Sequence, residues 1–572
     1  MKLQVGYDDF GKVRTKNLKF VDKTLFIKEI IDNEDVEVSV ITRPRRFGKT
    51  FNLSTLHHFL APDVNQIKTA GMFDDLKIAT VDNGSYMQYQ GKYPVIFVSF
   101  KSVKDNAFHG ALKNLQLVLK ELYRAHRYLH NSDRLAQDEK ELFKKFLSEE
   151  IDATDIETSL RILSELLYKH TSKKVFLLID EYDTPIQSGY LKGYYDEIVG
   201  LMRKMLGSAL KTNPYIDRAV VTGILRIAKE SIFSDLNNVT VYSLLQSQYS
   251  QHFGFTEEEV RELLVQASLE YQEAEVRKWY NGYTFGNTTV YNPWSIVNYV
   301  NNNIFKAYWV NTSDNQLIKQ QLIKSSPEFK EQFKLLLEDK KLEKIIDEHI
   351  AFGDLKNSDR AIWSLLLMSG YLKSVSTAIN MGDIICKCAI PNLEVKLLYR
   401  NIIKEWLGNS GGSEWYQSFL SYLLKGDIEK FTEGFGEVLL RTISVYDLTH
   451  NPEAFYHGFM LGLAAGIDQE QYEVKSNRES GLGRYDIAII PKDVLKLAVI
   501  LEIKSISPPK VPEKNFSKVL DALLNRESKK ALKQINKNQY TADLEHRGIA
   551  NIVKIGLAFC GKEFRITSEG FR

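Results

Sequence analysis

The chain has 572 residues, 44% of them hydrophobic and 26% charged, with only 13 prolines. This is a globular composition, long enough for three or four domains or for two with a long connector, and it excludes a Pro-rich disordered chain. Lys+Arg (75) nearly cancel Asp+Glu (73), for a formal net charge of +2, so any nucleic-acid site must be a local patch rather than a bulk polycation.

The first nine residues contain no apolar core of a signal peptide. From 1 to about 240, apolar runs at 36–41, 95–100, 175–179 and 219–224 alternate with helical stretches at 49–60 and 107–170. Continuous apolar runs separated by helices predict strands buried on both faces, hence a parallel sheet with crossover helices. From 241 to 440 the pattern is mainly helical. Thr256 and Glu259 form a helix-start signature, 281–283 and 291–294 read as turns, and 408–412 (G-N-S-G-G) as a joint. From 441 onward a helix at about 452–466 precedes strand-like segments at 471–476, 484–490 and 497–504. A Lys-rich helix at 514–537 and a strand at 552–559 follow. The expected fold class is α/β throughout. A parallel-sheet domain spans 1–240, a helical lid and connector 241–440, and a mixed α/β domain 441–572.

Three cysteines (Cys386, Cys388 and Cys560) cannot form a disulfide framework, and a C-x-C without a second pair does not predict zinc. The longest uncharged apolar stretch, 459–467, is too short to span a bilayer. These features predict a cytoplasmic protein without a membrane partner.

The first chemical signal is Arg43-Pro44-Arg45-Arg46-Phe47-Gly48-Lys49-Thr50, between a strand-like run and a helix. It ends as a P-loop ends. Gly48 lets backbone approach a phosphate, Lys49 reaches the β- and γ-phosphates of ATP, and Thr50 takes a Mg²⁺ position. Arg46 and Phe47 complete the loop. The departure is Arg43, where the pattern asks for Gly. Residues 175–181 form an apolar run ending in Asp180 and Glu181, at the strand end where open α/β sheets bind ligands. Asp180 would hold Mg²⁺, largely through water, and Glu181 would polarise an attacking water. The run 219–226 places Thr222 as a γ-phosphate sensor and Arg226 as a neutraliser of transition-state charge. Arg226 would act within its own subunit or, in a homo-oligomer, on a neighbour; a surface salt bridge is the alternative. His57 and His58 read as structural residues, and Trp279, Tyr280, Trp294 and Trp309 as packing residues, with base stacking as the alternative for these four.

The second signal is a pair of strand-like runs, 483–490 and 497–504, joined by a short turn. With a side-chain period of two, Glu502 and Lys504 share a face, and antiparallel pairing brings Asp486 near Glu502. Asp486 and Glu502 would ligate Mg²⁺ or Mn²⁺, and Lys504 would orient water or stabilise an anion. Residues 501–572 hold 14 Lys+Arg against 8 Asp+Glu, a surplus suited either to a solvated helix face or to DNA.

The motifs R-P-R-R-F-G-K-T, L-L-I-D-E-Y-D-T-P and T-G-I-L-R-I-A-K-E-S-I-F-S-D-L-N-N resemble the AAA-ATPase-like family, common in bacterial genomes. The resemblance covers about 5–310, including W-Y-N-G-Y (279–283) and Y-N-P-W-S (291–295), and implies that Arg43 is compatible with ATP binding. E-A-F-Y-H-G-F-M-L-G-L (453–463), S-N-R-E-S-G-L-G-R-Y-D (476–486) and L-E-I-K (501–504) resemble the PD-(D/E)XK nuclease superfamily over about 445–560. This implies a catalytic core of Asp486, Glu502 and Lys504, with Glu453 as a first-helix acid and Gln534 on the second helix. Together the resemblances imply an ATPase coupled to a metal-dependent DNA nuclease, in defence or mobile-element control. The alternative is a nucleotide-dependent switch or scaffold that hydrolyses little ATP and has a non-cleaving C-terminal domain.

Overall fold

The computed structural model describes residues 3–570 except 148–150, 226–236, 311–314, 338, 351, 357, 409–411, 443–455, 458–459, 461–462, 465–466, 468–470 and 481–482. The chain forms two compact units, 1–321 with 339–395, and 322–338 with 396–572. The segment 241–440, expected as one helical connector, is therefore shared between the two.

The first unit is built on a parallel five-stranded sheet. Its spatial order is Val95–Ser99, Val175–Asp180, Ile216–Gly223, Val38–Thr42 and Val239–Tyr242. Every residue of Val38–Thr42 and Val175–Asp180 is buried, as a sheet covered on both faces requires. The crossover helices include Phe108–Ala125, whose Leu115, Leu119 and Leu122 are buried at helical spacing.

Beyond the sheet, the helix Glu257–Gln266 begins with the full capping box between Thr256 and Glu259. Two three-stranded sheets interrupt the expected helical pattern. One contains Phe255–Thr256, Tyr283–Phe285 and Thr288–Tyr291, strands too short to show a period of two. The other contains Leu342–Ile346, Lys373–Asn380 and Asp383–Ala389. Met381 and Gly382, both at positive φ (49° and 88°), make the tight turn of its hairpin. Cys386 and Cys388 lie buried on one face of Asp383–Ala389 as free thiols.

The second unit is a five-stranded mixed sheet with strands in sequence order: Tyr472–Ser480, Gly483–Pro491, Ala498–Ser505, Ile552–Cys560 and Glu563–Glu569. Only Ala498–Ser505 and Ile552–Cys560 run parallel, and the helix Glu513–Lys537 makes the crossover between them. Side chains alternate between two cores. Ile487, Ile489, Val499 and Leu501 pack with Phe419, Phe431 and Phe435 of other helices, while Ala488, Ile490 and Ile500 pack with Leu532 and Ile535 of Glu513–Lys537. Gly556 is required by close approach: a Cβ there would stand 2.2 Å from the Ser528 carbonyl oxygen on that helix. Among the described residues no helix is long and apolar enough to cross a membrane.

Candidate functional site

In the first unit the strand Val38–Thr42 delivers the chain to residues 43–48, and the helix Lys49–Leu60 carries it away. Gly48 has φ +87° with nothing within 4 Å of a Cβ position, so glycine serves backbone conformation there, not space. Arg46 (φ +66°) and Glu181 (φ +51°) adopt the same left-handed region with side chains, at a cost on the order of 1–2 kcal/mol each. Such strain gathers at functional positions.

Arg43 turns inward. Its side chain is fully buried and donates to the carbonyls of Thr42 (2.8 Å), Tyr242 (2.9 Å) and Gln248 (3.1 Å). Its guanidinium lies 5.5 Å and 5.2 Å from the ring centroids of Phe253 and Phe285. Burial pushes its pKa down to about 9, still leaving it charged at neutral pH. The residue that departs from the P-loop pattern therefore fills the interior and leaves the loop's outer face open.

That outer face borders a cavity of about 430 Å³ lined by Arg45, Arg46, Phe47, Gly48, Lys49, Thr50, Glu181, Asp183 and Trp294, among others. Lys49 Nζ donates to the carbonyls of Arg43 and Pro44, both at 2.9 Å, and burial lowers its pKa. Asp180 is fully buried at its strand end. Its carboxylate accepts the Thr50 hydroxyl on Oδ2 and the Thr222 hydroxyl on Oδ1, each at 2.7 Å. Desolvation, then the neighbouring Glu181 charge, raises its pKa. Glu181 accepts the Thr184 hydroxyl at 3.1 Å. This donor set fits a triphosphate with a divalent cation: a lysine, a helix N-terminus free of acids in its first turn, and a hydroxyl backed by a carboxylate.

In the second unit, Ile487 pairs with Leu501 at the end of the antiparallel ladder, and Asp486 and Glu502 are the next residues beyond that end. Asp486 Oδ2 accepts the backbone N–H of Ile503 at 2.7 Å, and the His457 ring nitrogen lies 2.9 Å from the Asp486 carbonyl oxygen. Glu502 is 2% exposed. Its Oε1 accepts from Lys504 (3.0 Å) and Gln534 (2.5 Å), whereas its buried Oε2 has no hydrogen-bond partner. Desolvation, then Asp486, raises the Glu502 pKa to about 7. A buried carboxylate oxygen without a partner is costly, and a hard cation is the natural group to satisfy it. Among the described residues no cluster of three or more His, Cys, Asp or Glu is arranged to hold a metal.

Residues 4–233 match the family described as "Predicted AAA-ATPase", and residues 451–569 match the PD-(D/E)XK nuclease superfamily. The chain carries an AAA-ATPase-like domain followed by a PD-(D/E)XK nuclease-like domain. It is similar to an "Uncharacterized protein in vnfD 5'region" of Azotobacter chroococcum mcd 1, at 26% identity over 315 residues. That match covers 54% of each chain, so the chain spans about half the length of this curated relative. No solved structure matches.

Within the AAA-ATPase-like domain the structure brings together Arg46, Gly48, Lys49, Thr50, Asp180 and Glu181. Phe47 is fully buried, with its ring centroid 4.9 Å from Tyr283 and 5.2 Å from Phe285, so its side chain anchors the loop. The Thr222 hydroxyl is committed to Asp180 rather than to the cavity wall. Arg226 and Glu453 lie outside the described residues. His57 stacks on Phe97 at 5.3 Å, and burial drives its pKa down to about 3.

Two polar residues escaped the sequence reading. Ser99 pairs with Asp180 across the sheet, and its hydroxyl lies 3.4 Å from Asp180 Oδ2; the signal was a serine closing an apolar strand. Asp183 accepts the backbone N–H groups of Ile224 (2.8 Å) and Leu225 (3.1 Å), holding the segment after Ile216–Gly223 against the acidic turn. The signal for Asp183 was its place three residues after Asp180, in a motif quoted only for resemblance.

Proposed function

We propose that the chain is a nucleotide-controlled, metal-dependent nuclease that acts on DNA. Lys49, the loop amides and the N-terminus of Lys49–Leu60 bind the β- and γ-phosphates of ATP, while Thr50, with Asp180 behind it, would hold Mg²⁺. Glu181, strained toward the cavity, orients and polarises water for hydrolysis. In the nuclease-like domain, Asp486 and Glu502 would hold Mg²⁺ or Mn²⁺. A cation bound there lowers the pKa of its water and neutralises phosphate charge. Lys504, fixed by Glu502, orients the attacking water, and Gln534 locks the Glu502 rotamer. The basic surplus in 501–572 supplies phosphate contacts. Defence or control of mobile elements is a setting in which nucleotide-gated cleavage would serve.

The observation that carries the reading is the buried, unpartnered Oε2 of Glu502 beside Asp486 and Lys504. The test is cleavage of plasmid DNA with Mg²⁺ or Mn²⁺, with and without ATP. Asp486→Ala should abolish cleavage while leaving ATP uptake unchanged; equal cleavage by the variant would reject the site. Glu181→Gln should retain nucleotide affinity and lose about 10²–10⁴-fold in phosphate release. Tight uptake without release in the unmodified chain would instead make it a nucleotide switch.

A further inference from the structure

Glu394 lies outside both family matches and far from the phosphate loop in sequence, yet it is fully buried in the first unit. Its Oε2 accepts the Ser295 hydroxyl at 2.8 Å and its Oε1 the Trp309 backbone N–H at 2.6 Å, with Tyr308 and Val310 amides also facing it. Its carboxylate thus sits in a nest of successive backbone donors, closed by one hydroxyl.

Each arm of this contact leads to the phosphate loop. Ser295 stands in the first turn of the helix Pro293–Asn302, which Asn292 caps by accepting the Ser295 N–H. The same turn presents Trp294 to the cavity, with the Arg46 guanidinium 4.4 Å from its ring centroid. On the other arm, the buried Trp309 ring donates its Nε1–H to the Arg45 carbonyl at 3.0 Å. Two tryptophans, both tied to Glu394 through the backbone they stand on, touch two consecutive arginines of the loop.

Resting on the nucleotide reading above, we propose that Glu394 is a positioning residue of the nucleotide site. By holding Ser295 and residues 308–310 together, it sets Trp294 and Trp309 against Arg46 and Arg45 and fixes the loop in its anion-binding shape. The region downstream of the matched AAA-ATPase-like span is then part of the binding site itself.

The test measures affinity for Mg²⁺ with a non-hydrolysable ATP analogue, and for inorganic tripolyphosphate, by calorimetry. Glu394→Gln, Ser295→Ala and Trp309→Phe are compared with the unmodified chain, and the thermal midpoint of each is recorded. Trp309→Phe keeps an aromatic ring and removes the donor to Arg45 together with part of the buried indole, and the recorded thermal midpoint reads the packing loss separately. Each variant should weaken both ligands, Glu394→Gln by about tenfold. Because Glu394 and Trp309 act through one contact, the double variant should lose less than the product of the two single losses. Lower thermal midpoints with unchanged affinity in all variants would make Glu394 a fold residue only and overturn the proposal. An unmodified chain that takes up neither ligand would sink the nucleotide reading and this proposal together.

Discussion

Asp180 ends an apolar strand and Glu502 follows four buried apolar residues within another, in different units, and both are almost fully buried, at 0% and 2% exposure. Their surroundings differ. Asp180 has a hydroxyl on each oxygen, from Thr50 and Thr222, whereas Glu502 has two donors on Oε1 and none on Oε2. Burial raises both pKa values, that of Glu502 to about 7. The first site is satisfied by its own side chains and is ready for a ligand. The second has a carboxylate oxygen that the protein leaves without a donor, so a bound cation would favour its ionised form.

The largest effect that could break this contrast is at Glu502 itself. Glu502→Gln should reduce metal-dependent cleavage by more than about 100-fold, the loss typical of a mere outer-shell partner, and raise the metal-free thermal midpoint of the second unit. A lower midpoint would show that the uncompensated oxygen is not a liability.

Next in size is Arg43→Gly, which restores the P-loop pattern at the first site. It strips donors from three carbonyls and opens a void, so the first unit should lose about 2–4 kcal/mol, read by denaturant unfolding. Nucleotide affinity should not improve.

A smaller effect is pH dependence. The Glu502 carboxyl titrates near 7 in the fold against an ordinary value of 4.5, so its contribution to stability is full below about pH 4.5 and is lost as pH rises through 7. The midpoint of the metal-free second unit should therefore fall between about pH 5 and pH 8, and Mg²⁺ or Mn²⁺ should flatten the slope by competing with the proton. Glu394, also raised to about 7 by burial, gives the first unit a slope of the same sign. Glu502→Gln should thus flatten the second unit alone, which differential scanning calorimetry would resolve.

The smallest is Thr222→Val. It removes one donor to Asp180 and should cost about 1 kcal/mol in unfolding free energy, with a modest loss of Mg²⁺-dependent nucleotide affinity by calorimetry.

Much of both sites was legible because its signals are local. The four runs at 36–41, 95–100, 175–179 and 219–224 became strands of the parallel sheet, with ends shifted by a few residues. The helix at 49–60 has the bounds read from the sequence. Alternation placed Glu502 and Lys504 on one face, and Asp486, just beyond the paired residues of the neighbouring strand, reaches the Ile503 N–H between them. The strand Glu563–Glu569 was missed because it pairs along only one edge and only partly buries its apolar residues, which blurs the pattern. The hairpin at 373–389 was missed because a Met381-Gly382 turn is a weaker cue than Asn-Gly.

Apolar periodicity and polar residues at strand ends were enough to place the strand-to-helix loop at 43–50, an acidic strand end and a carboxylate-lysine strand, because burial imprints itself on neighbouring residues. The inward turn of Arg43, the unpartnered oxygen of Glu502 and the reach of Glu394 to Ser295 and Trp309 were decided only by the folded chain. A buried polar atom is stabilised by whichever donor or acceptor lies against it, and here those partners include Tyr242, Gln534 and Trp309, segments that only tertiary packing brings within hydrogen-bond distance.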